Sequence, residues 1–253
     1  MINDKVFLGF PLQFKDICQV YPPTVNDVVG NNDFPIYQSV LTMTQEDLAD
    51  AYSKDERITH IPTPFQYLLI VYYQDDELKK KIHSAFELFV HEPVTIVPEI
   101  PMVLIGKSED ELDPDVDLEN PRLLNEDNYF DFQNMIRKVM GDKIVEKPKE
   151  EEILDPRILR WKAKVRKYHE TLAKKKSKTA PTLGTLLAAI CCMGIGITPL
   201  NIGEMSYACI QWLIGMYQQS EEYDIDIRAL LAGADSKKVK PKYWIKNLDE
   251  KEL

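Results

Sequence analysis

Apolar positions along this chain change their spacing several times, and each change predicts an element. Between residues 2 and 14 the short runs "KVFLGF" and "PLQF" are β-prone. After Pro22 and Pro23, Thr24 is placed to cap a short helix through Val29, and "NDFPIYQSVLTM" and "TQEDLADAY" predict two more short helices. Thr44 opens the second: its hydroxyl can take a first-turn amide, and Glu46 and Asp47 meet the positive end of the helix. From Thr63 the helical period strengthens. "TPFQYLLIVYYQ" starts with Pro64 at a first helical position, and Leu78, Ile82, Ala85, Phe86 and Phe89 then share one face. "VTIV" and "MVLIG" predict the arms of a hairpin, turning through Pro98 to Pro101. "NEDNYFDFQNMIRKVMG" predicts a helix capped by Asn125 and stopped near Gly141.

The longest uncharged stretch runs from Thr179 to Gly203 and raises the question of a membrane span. A span needs about 20 consecutive apolar residues. Gly194, Gly196 and Pro199 interrupt this one, at a helix cost of about 1 kcal/mol for a Gly and about 3 for a Pro. One helix therefore ends near Met193, after roughly 16 Å at 1.5 Å per residue from Leu183, which is about half a bilayer. Another starts near Ile202, with Asn201 and Glu204 as a capping box and Leu200 and Met205 as a staple. Met205, Ala208, Cys209, Trp212, Leu213 and Met216 form its apolar face, while Ser206, Gln211 and Gln218 lie opposite. The expectation is two helices in water, packed through Leu186, Ile190, Cys209 and Trp212. "IDIRALLAG" then extends or restarts the helix to Gly233, before a lysine-rich tail carrying Tyr243 and Trp244. The fold class expected is mainly α with a small β component in the N-terminal half (α+β), and a C-terminal helical bundle. The divisions expected are a mixed α+β domain at 1–143, a linker and basic helix at 144–178, and a helical domain with a terminal arm at 179–253.

Charge narrows the function. The net charge of −10 disfavours nucleic-acid binding by the molecule as a whole. Locally, Arg157 to Lys178 holds ten Lys or Arg against one Glu, and residues 109–119 hold seven acids and no base. The basic stretch can be a solvated helix facing those acids or an acidic partner, or a face that tracks phosphates. The acidic stretch fails as a calcium loop, with Leu118 where a Gly is needed and Leu124 where a Glu is needed. The four cysteines fit no zinc spacing and read as small buried hydrophobes kept reduced in a cytoplasm. His83 and His91 stand eight apart, where a helical metal pair stands at four. Nucleophile-elbow, zincin, P-loop and dinucleotide motifs are absent. A secretory signal is not expected, because Asp4 and Lys5 precede any apolar run and no basic stretch leads a long apolar one. No enzyme activity, metal, cofactor or membrane anchor is expected.

"GITPLNIGEMSYACIQWLIGMYQ", with Gly196, Pro199, Glu204 and Met205 in place, resembles the C-terminal helical element of tail assembly chaperones of long-tailed bacteriophages. "LLAGADSKKVKPKYWIKNL" is similar to the tails of proteins encoded between tail-tube and tape-measure genes, and the resemblance covers roughly residues 180 to 247. It implies a non-catalytic protein of the host cytoplasm that binds the tape-measure protein and tail-tube subunits, and it leaves a homo-oligomer open. Partner contacts would then involve Met205, Trp212 and Met216, or the basic residues Arg157, Arg160, Lys164, Arg166 and Lys167, or Tyr243 and Trp244. The plain alternative makes the Met and Trp stripe core, and makes Trp244 a pin for the terminal arm. Two other functions compete: a structural tail or connector protein of the virion, and a nucleic-acid-associated regulator using residues 157–178.

Overall fold

The computed structural model describes residues 4–52, 61–97, 101–108, 122–146, 161, 164, 165 and 182–243. The acidic stretch 109–119 and most of 157–178 lie outside them. In chain order the elements are α1 (Asp4–Phe7), β1 (Leu12–Phe14), β2 (Cys18–Val20), α2 (Val25–Gly30), α3 (Phe34–Thr42), α4 (Gln45–Ala51), α5 (Pro64–Gln74) and α6 (Asp76–Val90). They continue with β3 (Val94–Val97), β4 (Met102–Ile105), β5 (Leu123–Leu124), α7 (Glu126–Met140), α8 (Leu183–Cys192), a 3-10 turn (Ile202–Glu204) and α9 (Tyr207–Leu231). The fold is mainly α, with antiparallel sheets of two and three strands in the N-terminal half, which makes it α+β.

Local chemistry sets the helix starts. Thr24, Thr63 and Asn125 each build a two-way capping box with the residue three positions on, satisfying first-turn amides that the helix itself cannot. Gly141 closes α7 at φ +79°, a left-handed turn that favours glycine. The expected hairpin forms with Val94 opposite Ile105 and Val97 opposite Met102. A third strand, Leu123–Leu124, extends it by pairing Leu124 with Val103; two residues are too short to leave a period in the sequence.

The main core lies between α3, α5, α6, α7 and the sheets. Aromatic rings fill it: Phe132 meets Phe14 edge-on at 5.5 Å and stacks with Phe86 at 5.9 Å, and Tyr129 packs on Phe65 at 5.1 Å. Polar side chains of α7 close the end of α3. Gln133 donates to the Met43 carbonyl at 2.9 Å, and the Arg137 guanidinium donates to the Thr42 carbonyl. These late carbonyls of α3 have no partner in their own helix, so a buried arginine is satisfied there and not stranded.

Two expectations are corrected. "KVFLGF" is not extended: Asp4–Phe7 is a helical turn whose Val6 is fully buried. Position along the chain hid this, because the turn is held by contacts with α9 some 200 residues away. Asn201 and Glu204 do not cap a helix, and Leu200 staples nothing. The Asn201 side chain instead braces the turn before it, accepting from the Thr198 amide at 2.8 Å and donating to the Gly196 carbonyl at 3.0 Å. The long helix starts five residues later than Ile202, with Ser206 as its cap: the Ser206 hydroxyl accepts from the Cys209 amide at 3.1 Å. None of the helices among the described residues is long and apolar enough to cross a membrane.

Candidate functional site

Among the described residues, the 182–243 segment meets the rest of the molecule at a seam around the start of α9. Thr24 and Ser206 form an antiparallel bridge. Around it the Val25 amide donates to the Met205 carbonyl at 3.0 Å, and the Tyr207 amide donates to the Pro23 carbonyl at 2.8 Å. The Ser206 hydroxyl also donates to the Val6 carbonyl at 3.0 Å. Trp212 then stacks on Phe7, ring centroids 5.9 Å apart and nearly parallel at 12°. Gly141 is needed here as well, because a Cβ on it would come within 3.3 Å of the Ala208 backbone.

On the other side of α9 lies a smaller core. Ile190 of α8, Ile202 of the turn, Val25 of α2 and Ile210 of α9 are its buried members, with Leu187, Leu213 and Ile214 around them. So α8 and α9 do pack together, and of the residues expected at the contact Ile190 takes part while Trp212 does not. Leu187 and Ile190 face Ile210, Leu213 and Ile214, while Trp212 belongs to the main core. The reason is angular: Ile210 and Ile214 lie on a different stripe of the helix from Ala208 and Trp212, and both stripes are apolar.

The proposed partner residues are thus spread over different environments. Trp212 is 5% exposed and is a packing residue, not part of an open surface. Met205 is half-buried against the smaller core, and Met216 is half-buried. Tyr243 is exposed and meets Tyr223 of α9 edge-on at 5.7 Å, so the chain after α9 folds back along the helix. Lys164 and Trp161 are each helical and exposed. Arg157, Arg160, Arg166, Lys167 and Trp244 lie outside the described residues.

What the seam leaves open is more informative. Helix α8 carries no charge, and Ile190 is its only buried residue. Thr185, Ala188, Ala189 and Cys192 are exposed along its outer side. In the turn that follows, Ile195 is exposed and Leu200 is 94% exposed. Gly194 and Gly196, at φ +70° and +83°, turn the chain so that these two side chains face outward. A sequence read by hydropathy places such residues inside. Only the packing shows that one stripe of α8 is covered and that, among the described residues, nothing packs over the rest.

A second feature is a cleft of about 510 Å³ along α6, lined by Lys79, His83, Glu87, His91, Glu92 and the start of β3. Tyr72 and His83 share a hydrogen bond of 2.9 Å, and His91 stacks on Tyr21 at 4.0 Å. Glu92 is held by Arg122 through two bonds of 2.7 Å. That guanidinium keeps the Glu92 carboxyl below the usual range. Among the described residues no group of three or more His, Cys, Asp or Glu is placed to hold a metal ion. Burial pushes the Cys209 thiol up to about 11 and Cys18 up to about 12, so neither is a thiolate nucleophile near neutral pH.

Residues 174–249 match the family model described as the YomV second domain, a phage-derived domain family, which is consistent with a phage-related protein. The match covers α8, the turn and α9 with its returning tail. No curated protein and no solved structure matches the chain.

Proposed function

We propose that this is a non-catalytic phage tail assembly chaperone, which holds the tape-measure protein and delivers it to tail-tube subunits in the host cytoplasm. The observation that supports this reading best is the uncharged outer side of α8 with the outward-facing Ile195 and Leu200. Exposed apolar surface of this kind is a contact surface for another protein. Its small side chains let an amphipathic helix approach closely, and its lack of charge keeps each contact weak and sequence-tolerant. A long helical partner would be gripped by many such contacts in series, each displaced as the tube forms.

Two variants on this surface test the reading, Leu200→Asp and Ala188→Glu. Neither side chain is in the core, so the circular dichroism spectrum is expected to stay unchanged. Capture of the phage's tape-measure protein on co-expression is expected to fall at least about tenfold for the pair, since a charge facing an apolar partner is left unpaired. Full capture by the double variant refutes the surface. Presence of the protein at structural copy number in purified virions refutes the chaperone role in favour of a tail component.

A further inference from the structure

Helix α9 has a second stripe that nothing among the described residues covers. Ile210, Ile214, Tyr217, Glu221, Asp224, Arg228 and Leu231 follow each other at alternating steps of four and three, the period of a coiled-coil seam. The first two sit against α8 in the smaller core. The last five are all exposed, with Tyr217 at 39% and Leu231 at 83%. Within the described part of the returning tail, Tyr243 meets the helix at Tyr223, which lies off this stripe by about a third of a turn. The stripe therefore continues past the end of its partner for some 15 residues, about 22 Å of helix.

We propose that this distal stripe of α9 pairs antiparallel with the same stripe of a second copy of the chain. The charges select that occupant. Glu221 and Arg228 are seven residues apart, with Asp224 between them. A two-fold axis passing between Asp224 and Ile225 puts Arg228 of each copy against Glu221 of the other, and sets the two Asp224 carboxylates near the axis, between the two guanidinium groups. The same operation brings Tyr217 of each copy opposite Ala232 of the other and beside its Leu231, so apolar groups flank the ion pairs at both ends. One rotation makes the Arg228–Glu221 pair twice, which is the signature of a closed, self-complementary interface. A parallel pairing would set Glu221 against Glu221 and Arg228 against Arg228, and is disfavoured by like charge.

A contact along this length is smaller than the roughly 1,200–2,000 Å² of a stable complex. The dimer is therefore weak, with a dissociation constant expected between about 10 μM and 1 mM. It is separate from the α8 surface, so the tape-measure reading and this one fail independently.

Sedimentation equilibrium of the whole chain tests the pairing through a charge swap. Wild type is expected to show a monomer–dimer equilibrium. Arg228→Glu alone and Glu221→Arg alone are each expected to weaken it at least about tenfold, because each sets like charges together twice. Mixing the two variants is expected to restore association, since both cross-pairs are then opposite in sign. Tyr217→Ser with Leu231→Ser gives a charge-neutral second disruption, and circular dichroism confirms that each variant is folded. A wild type that stays monomeric up to about 1 mM overturns the proposal, as it exceeds the weakest constant expected. So does a dimer that the single variants leave intact, or a mixture that does not recover.

Discussion

The two ends of α9 differ in everything except their helical period. From Tyr207 to Trp212 the helix is locked in place: Ser206 caps it, a backbone bridge joins it to residues 23–25, and Trp212 is stacked in the aromatic core. From Tyr217 to Leu231 it has no buried residue, and one side carries exposed charge and scattered apolar groups. The difference teaches that a single helix can serve both as a structural member and as a displayed surface. The switch occurs where covering elements run out, not where helix propensity changes. Short isolated helices are marginal in water, so the distal half inherits its order from the anchored half.

The largest effect that would break this contrast is expected at the anchor. Trp212→Ala should cost about 3–5 kcal/mol, the range for removing a large aromatic from a packed core, read as a lower urea midpoint at unchanged slope. A small loss would mean that Trp212 is not held by the core as described. Ser206→Ala should cost about 1–2 kcal/mol, because it removes the cap acceptor of α9 and one of the donors to the Val6 carbonyl, which keeps the Gly9 amide. Ser206→Thr, which keeps the hydroxyl, should recover part of that loss.

A charge pair in the body of the protein sharpens the contrast by its pH dependence. Glu92 has a folded-state carboxyl lowered by Arg122. Its contribution is therefore present above the unfolded carboxylate range and is lost as pH falls through the lower folded value. Glu92→Gln should flatten the acid side of the stability profile, by less than about 1 kcal/mol since the pair is partly exposed. Smallest of all, Ile225→Ser in the distal half should change monomer stability by no more than about 0.5 kcal/mol. A larger loss, measured at concentrations where the chain is monomeric, would show that the distal half is covered from within the same chain.

Much of this architecture was legible from residue order. The caps at Thr24, Thr63 and Asn125, the stop at Gly141 and the hairpin at residues 94–105 all rest on chemistry within four residues or on strict alternation. The break of the apolar stretch at Gly194 to Pro199 was legible for the same reason. What escaped was set by distant partners. Ser206 reads as a polar residue on a wet face, yet it is buried because Val6 and residues 23–25 close over it. Trp212 and Leu213 read as one apolar face, but they enter separate cores. For the candidate site, the uncharged stretch was visible, while the outward aim of Leu200 was not. Hydropathy reports the tendency to be buried and says nothing about whether a neighbour arrives.

The bond from Ser206 to Val6 spans 200 positions of the chain. During synthesis, therefore, the groove beside Phe7 waits open until about 200 further residues have left the ribosome, and contacts so far apart in sequence form slowly. A product cut short near residue 200 would carry that unfilled aromatic slot on its surface, and would be the species most prone to stick to its neighbours.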